Sequence, residues 1–280
     1  MKILVTGGSG YLGTHVQRFF DADDMSRRSG KDILVTPDLA DISGYDVVIH
    51  LAALLDKRPD AADEVFETNV QGTVNVLRAM KKDGVFIFAS TKDVYGRFAD
   101  NHSLVGEDCS TTYAGQSALE WSKLIAERYV DYHANALGIR SCIFRLSTVY
   151  APKTDGNTPS FVGHYADAIN TGERLTLPAA GTPKRDIMHV DDFSSACQAF
   201  IDSIIGHGTY NLGGGPQNAL TLKDLVSKME EVSGLEAVMN EEPEFPPPVP
   251  LNYVTDLRLV SQELGWKPKV GIEEGLRTLF

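Results

Sequence analysis

Lys2–Thr6 (KILVT) is a short apolar run that passes straight into Gly7-Gly8-Ser9-Gly10-Tyr11-Leu12-Gly13, with a helix expected from about Tyr11 to Phe20. Strand, turn and helix in that order constrain the fold more than any other stretch of the chain. Gly7 permits a sharp turn out of the strand, and Gly10 lets the backbone approach a pyrophosphate. Gly13 allows the helix to pack close to a sheet. The amides and the partial positive charge at the helix front suit an anion. The segment therefore predicts a site for NAD or NADP built on Gly7, Gly10, Tyr11, Leu12 and Gly13.

Further along, strands and helices alternate, which predicts an α/β fold with a Rossmann-type, doubly wound parallel sheet. Met25–Arg27, Ile33–Thr36, Val47–Leu51, Val85–Ser90 and Ser141–Leu146 read as strands. The continuous apolar run VVIHL fits a strand buried on both faces. Glu64–Met80 has helical spacing at Val65, Val70, Val74 and Leu77. Ser117 with Glu120 three residues later is a capping-box pattern that starts a helix running to about Leu137. Five of the thirteen prolines lie between Pro243 and Pro250, which suggests a stiff spacer.

The net charge of −12 argues against general nucleic-acid binding, and a phosphate site has to be assembled locally against that field. Cys109, Cys142 and Cys197 have no metal-ligand spacing and read as reduced thiols in the core. No His/Cys/Asp cluster suggests a metal. The chain starts directly in a strand, with no secretory pattern, and its longest apolar stretch is too short to span a bilayer. A cytoplasmic location, away from membranes, is expected. For the cofactor's adenosine end, a ribose-binding acid is sought near residue 27, where Ser26-Arg27-Arg28-Ser29 stands. A guanidinium at Arg27 suits a 2′-phosphate, so NADP is favoured over NAD, although a surface arginine pair is also an ordinary solvated face.

These stretches together resemble the extended short-chain dehydrogenase/reductase family, the NAD-dependent epimerase/dehydratase group that acts largely on nucleotide sugars. TGGSGYLG is similar to the family turn, and Asp38-Leu39 to the pair that contacts adenine. His50-Leu51-Ala52-Ala53 resembles the strand end beside the cofactor, and Asn69, Gly72, Thr73 and Asn75 resemble the following helix. Ser90 to Gly96 (STKDVYG), Arg145 to Pro152, Arg185-Asp186 with His189 to Asp192, Tyr210 to Gly213 and Leu264 to Pro268 complete the likeness. The resemblance implies a Rossmann domain over residues 1–150 and a substrate lobe mainly over 151–280, with part of 185–212 returning to the first domain. It also implies a nucleotide-sugar substrate and a homodimer formed by helix packing.

One family feature is missing. Members carry Tyr-x-x-x-Lys on a helix face, about 6 Å apart along the axis, with the lysine lowering the tyrosine's pKa so that the phenol moves the proton accompanying hydride transfer. Here Lys123 is present, but Leu119 stands four residues before it, and Thr91 occupies the hydroxyl position. Thr148 replaces a substrate-contacting Asn. Three readings follow. Another group carries the proton, with Lys92, Asp93, Tyr113, Tyr95 and Lys123 as candidates; or the chemistry needs no strong acid or base; or the chain is a non-catalytic NAD(P)-binding sensor or partner subunit. Arg185 and Arg258 are candidates for the substrate diphosphate, with a structural salt bridge from Arg185 to Asp186 or Asp191 as the alternative. His50 and His189 read as packing histidines.

Overall fold

The computed structural model describes residues 1–112, 116–154, 156–157, 159–240 and 247–280. The first half alternates as the apolar runs dictate. Strand β1 (Ile3–Thr6) leads through the glycine turn into α1 (Gly13–Phe20), then β2 (Asp23–Met25) and β3 (Val47–His50). Helices α2 (Ala62–Phe66) and α3 (Gly72–Ala79) are joined by a π turn over Glu67–Gln71. Then come β4 (Val85–Thr91), α4 (Ala118–Leu137) and β5 (Arg140–Leu146). The second half contributes β6 (Thr148–Tyr150), α5 (Phe161–Thr171), β7 (Arg174–Leu175), β8 (Lys184–His189), α6 (Val190–Asp202) and β9 (His207–Leu212). The chain finishes with β10 (Ala219–Thr221), α7 (Leu222–Ser233), β11 (Val238–Met239), α8 (Arg258–Leu264) and α9 (Ile272–Arg277).

The main sheet runs β2-β1-β3-β4-β5-β9, with parallel pairing throughout. Alternate side chains on its strands enter two separate cores, because successive Cβ atoms point to opposite faces. Ile3, Val5, Val47, Ile49 and Ile87 pack with Val16, Phe193, Cys197 and Phe200 on the α1/α6 side. Leu4, Val48, Phe86 and Phe88 pack with Val76, Leu77, Ala126 and Val130 on the α3/α4 side. Each such aliphatic side chain, once fully buried, contributes about 1.5–3 kcal/mol. The three cysteines are free and buried. Among the described residues no helix is long and apolar enough to cross a membrane.

Two expected strands differ. The second ends at Met25, not Arg27, because Ser26 and Ser29 exchange side-chain bonds with each other's amides and bend Arg27–Ser29 into a turn. Ile33–Thr36 forms no strand. The Asp32 carboxylate accepts from the Leu34 amide at 2.9 Å and Asp38 accepts from the Asp32 amide at 2.8 Å, so side chains take up backbone groups that a ladder would use. Ile33 and Leu39 still reach the α3/α4 core. The helix expected over 64–80 is interrupted by the π turn at Glu67–Gln71.

The second lobe holds a sheet ordered β10-β8-β6, with β10 antiparallel and β6 parallel to β8. Tyr150, Val162, Tyr165, Leu175, Leu225, Met229 and Leu276 fill its core. β8 belongs to this sheet, whereas α6 and β9 pack on or pair with the main one. The proline-rich stretch lies partly outside the described residues.

One buried network fastens α4 to three strands. Glu127 accepts from the Arg145 guanidinium at 2.7 and 3.0 Å and from Ser90 Oγ at 2.5 Å. Arg145 Nη1 donates to Tyr95 Oη at 2.9 Å, and Tyr95 donates to Asn211 Oδ1 at 2.7 Å. Removing one member of a buried ion pair strands the other charge. Glu127→Ala is expected to lose about 3–5 kcal/mol of stability, measured by urea unfolding. A loss below about 1 kcal/mol, the value of an exposed pair, would contradict the assignment.

Candidate cofactor and active site

Gly7 has φ +72°, a left-handed backbone, and a Cβ there would lie 2.8 Å from the Ala52 amide nitrogen. At Gly13 a Cβ would lie 2.0 Å from the Gly7 carbonyl oxygen. Both positions need glycine, one for conformation and contact and the other for contact alone. Leu12 caps α1 without a side-chain hydrogen bond. The Tyr11 hydroxyl donates to the Ala151 carbonyl at 2.7 Å and accepts from the Ala151 amide at 2.8 Å, tying the turn to the chain just beyond β6.

Near residue 27 the carboxylate beside the glycine turn is Asp24, inside β2. Ser9 Oγ donates to Ser26 Oγ at 2.8 Å, and Ser26 Oγ donates to Asp24 Oδ2 at 2.7 Å. Asp24 Oδ1 is buried without a hydrogen-bond partner and lies 2.5 Å from where a Gly8 Cβ would be. Buried polar atoms are normally paired, so this oxygen beside the glycine turn marks a ligand position. A glycine cradle that any Cβ would fill, beside an orphaned carboxylate oxygen, fits a dinucleotide. Sequence reasoning missed Asp24 because it placed the strand end two residues too late. Arg27 is exposed. Arg28 donates to the Ser9 carbonyl at 3.2 Å, to Asn157 Oδ1 at 3.0 Å and to the Gly156 carbonyl.

Leu51, Ala52 and Ala53 follow β3 beside the turn and are half-buried. Asn69 holds this loop: its Oδ1 accepts from the Leu54 amide at 2.8 Å, and its Nδ2 donates to the Leu54 carbonyl at 3.0 Å and to Ser122 Oγ at 2.9 Å. Asp38 is bonded to the Asp32 amide and Leu39 is buried in the core. His50 bridges Thr6 and Thr73 hydroxyls, and burial, assisted by the Lys123 charge, pushes its pKa down to about 3. It is a neutral packing residue.

At the other end of the pocket, Thr91 closes β4, and its Oγ1 accepts from the Asp93 amide at 3.1 Å. The capping box at Ser117 and Glu120 is formed, which fixes the register of α4 with Leu119 in its first turn and Lys123 one turn on. Lys123 is buried, donates to the Ala89 carbonyl at 2.8 Å and sits 4.9 Å from the Phe88 ring centre. Burial lowers its pKa to about 8, against the opposing pull of Glu127. Tyr95 is committed to the Glu127 network, and burial raises its pKa to about 12. Tyr113 lies outside the described residues.

Beside Thr91 the structure assembles a chain of charges. Lys92 pairs with Asp93 Oδ1, Lys57 Nζ is 3.5 Å from Asp93 Oδ2, and Lys57 also lies 2.7 Å from Glu120 Oε1. Burial raises the Asp93 pKa, but Lys92 and Lys57 outweigh it and hold the carboxyl below its ordinary value. Lys57 was not singled out from the sequence, and Glu120 only as part of the capping box; they stand 63 positions apart, and nothing local signals the pairing. Arg185 is buried and donates to the carbonyls of Lys184, Pro250 and Leu251 at 2.7–2.8 Å, not to Asp186 or Asp191. Arg258 is exposed and clamps Asp256 at 2.6–3.0 Å. The two arginines share no partner. Thr148 is buried in β6. Among the described residues no group of His, Cys, Asp or Glu is arranged to hold a metal.

The parallel sheet, the glycine turn at its first strand end and the lysine behind β4 define a nicotinamide-dinucleotide-dependent α/β protein. Residues 3–213 match the model of the NAD dependent epimerase/dehydratase family, and the chain belongs to that family. It is 30% identical to dTDP-glucose 4,6-dehydratase of Mycobacterium tuberculosis, across 99% of this chain and 92% of the relative. A solved structure described as MoeE5 in complex with UDP-glucuronic acid and NAD superposes with TM-score 0.83 at 25% identity, covering 99% of this chain and 97% of that one. RMD from Pseudomonas aeruginosa complexed with NADPH shares the fold at TM-score 0.83 and 22% identity, with 100% and 97% coverage.

Proposed function

We propose that this protein is an enzyme that transforms the sugar of a nucleotide sugar with a bound nicotinamide dinucleotide, and that Lys123 moves the proton that a tyrosine moves in its relatives. The carrying observation is Lys123 itself: a buried amine with its pKa lowered to about 8, one turn beyond Leu119 and hydrogen-bonded to β4 two residues before Thr91. The names of the relatives support the substrate class. The cofactor supplies hydride acceptance and donation at a sugar carbon. Thr91 Oγ1 orients the reacting hydroxyl. Neutral Lys123 accepts its proton, and Phe88 walls the amine from water.

For the cofactor, Arg27 and Arg28 favour NADP in the sequence, whereas Asp24 supports NAD. An unpartnered carboxylate oxygen accepts bonds from ribose hydroxyls and repels a 2′-phosphate. The exposed Trp121, Tyr129 and Tyr132 on α4 support a homodimer formed through that helix, since a monomer seldom leaves large apolar groups on one helix face uncovered. Light scattering is expected to give twice the chain mass; a single-chain mass at micromolar concentration would refute the dimer. A non-catalytic NAD(P)-binding subunit is the second reading, and Leu119 alone favours it.

A neutral amine is needed for hydroxyl oxidation, so the rate should rise with pH through about 8, and reduction in reverse should fall over the same interval. The measurement is product formation from a panel of uridine, thymidine, guanosine and cytidine diphosphate sugars. Lys123→Met should lower turnover by at least about 100-fold, and Leu119→Tyr should raise the rate on the acid side. A profile flat from about pH 6 to 9, or an active Lys123→Met, would sink the role of Lys123. Bound cofactor with no turnover across the panel would favour the second reading. Separately, Asp24→Asn should shift relative affinity toward NADP by about tenfold in fluorescence titrations; tighter NADP than NAD in the unaltered protein would count against NAD.

A further inference from the structure

We infer that the segment after β6, Ala151–Thr154 with Gly156 and Asn157, is a strap latched by Arg28, and that the nicotinamide dinucleotide enters and leaves when this latch opens. This rests on the dinucleotide site of the proposed function and adds a kinetic role for one residue to it. The strap is fixed at both ends. At its start, Tyr11 in the glycine turn donates to the Ala151 carbonyl at 2.7 Å and accepts from the Ala151 amide at 2.8 Å. In the first turn of α1, His15 Nε2 lies 3.0 Å from the Pro152 carbonyl. At the far end Arg28 donates through Nη2 to the Gly156 carbonyl and through Nη1 to Asn157 Oδ1 at 3.0 Å. Asn157 is itself held, since its Nδ2 donates to Thr154 Oγ1 at 3.0 Å and its amide to the Thr154 carbonyl at 3.3 Å.

The far anchor is continuous with the ligand position. Arg28 stands in the turn Arg27–Ser29, whose cap Ser26 donates to Asp24 Oδ2 at 2.7 Å, and Asp24 Oδ1 is the orphaned oxygen beside Gly8. Arg28 Nη1 also donates to the Ser9 carbonyl at 3.2 Å, and Ser9 Oγ donates to Ser26 Oγ at 2.8 Å. The guanidinium therefore grips the glycine turn and the strap at once. A dinucleotide with its diphosphate at the front of α1 and a ribose at Asp24 extends from the Tyr11 anchor toward the Arg28 anchor. Strap and cofactor thus run between the same two places. The strap leads from β6 to α5, whose Tyr150 and Val162 lie in the core of the second lobe, so the latch joins that lobe to the first. Arg28 is exposed, so its bonds break without stranding a buried charge, as a part that opens at each exchange requires. Both Nη1 hydrogens and one of Nη2 are already engaged, which makes Arg28 a latch and not a reader of a 2′-phosphate.

The test is stopped-flow fluorescence on the full chain with NADH and NADPH, which gives association rates on mixing and dissociation rates on displacement by excess NAD or NADP. Removing a latch lowers the barrier in both directions, whereas removing a ligand contact speeds departure alone. Arg28→Ala should accelerate dissociation of the reduced cofactor about tenfold and association about fivefold, so that Kd changes by no more than about threefold. Asn157→Ala, which removes one strap acceptor, should accelerate both rates about threefold. The double variant should match Arg28→Ala alone, because the two residues act through one contact. Unchanged rates in Arg28→Ala would overturn the strap. So would faster dissociation with unchanged association, an effect confined to NADPH, or additive effects in the double variant, each of which makes Arg28 a direct cofactor contact or unrelated to Asn157. Failure of the unaltered protein to bind either reduced cofactor would overturn the dinucleotide site and the strap with it.

Discussion

The carboxylate of Glu127 is the constraint on which most of the rest depends. From α4 it reaches β4 through Ser90 and β5 through Arg145, and the arginine carries the connection on to Tyr95 and to Asn211 in β9. Burying that many polar groups is tolerable only because each finds a partner. The same carboxylate acts on Lys123, one helical turn earlier, holding its pKa up against burial. The group that secures the sheet against its helix therefore also tunes the amine at the pocket. Of the STKDVYG and RLSTVYAP stretches, Ser90, Tyr95 and Arg145 belong to this network.

Where neighbours along the chain determine structure, the sequence was sufficient. The capping box at Ser117 is formed as its spacing implies, and the glycines at 7 and 13 sit where a Cβ would collide with Ala52 or Gly7. The parallel sheet follows from alternating apolar runs, and its long strands were placed within a residue or so. What escaped was whatever depended on long-range partners or on competition for backbone groups. Ile33–Thr36 has the composition of a strand, yet Asp32 takes up the Leu34 amide and Asp38 the amide of Asp32 just before it. Asp24 was overlooked because a serine pair stops β2 at Met25. The Lys57–Glu120 contact depends on the segment after β3 meeting the first turn of α4, which no window of sequence contains.

The pocket that results has two electrical characters. At the glycine turn stand backbone amides and the Asp24 carboxylate, with Arg28 bonded to the Ser9 carbonyl. At the end of β4, Lys57 and Lys92 gather around Asp93, in a molecule that is otherwise strongly acidic. Leu119 is a buried apolar side chain in the first turn of α4. The charge of Arg185 acts on Lys92 and Asp93 while its hydrogen bonds hold the 250–251 segment, so one residue serves both architecture and potential.

The brevity of β2 has a consequence for the molecule as a neighbour to others. A main-sheet edge ordinarily offers a row of open amides and carbonyls on which a foreign strand can template itself. Here that rim is three residues long and two of them are aspartates, Asp23 and Asp24. A second chain attempting to extend the ladder would find few rungs and a repulsive pair of anions, so truncation at this margin guards against fibrous self-association without needing a covering helix.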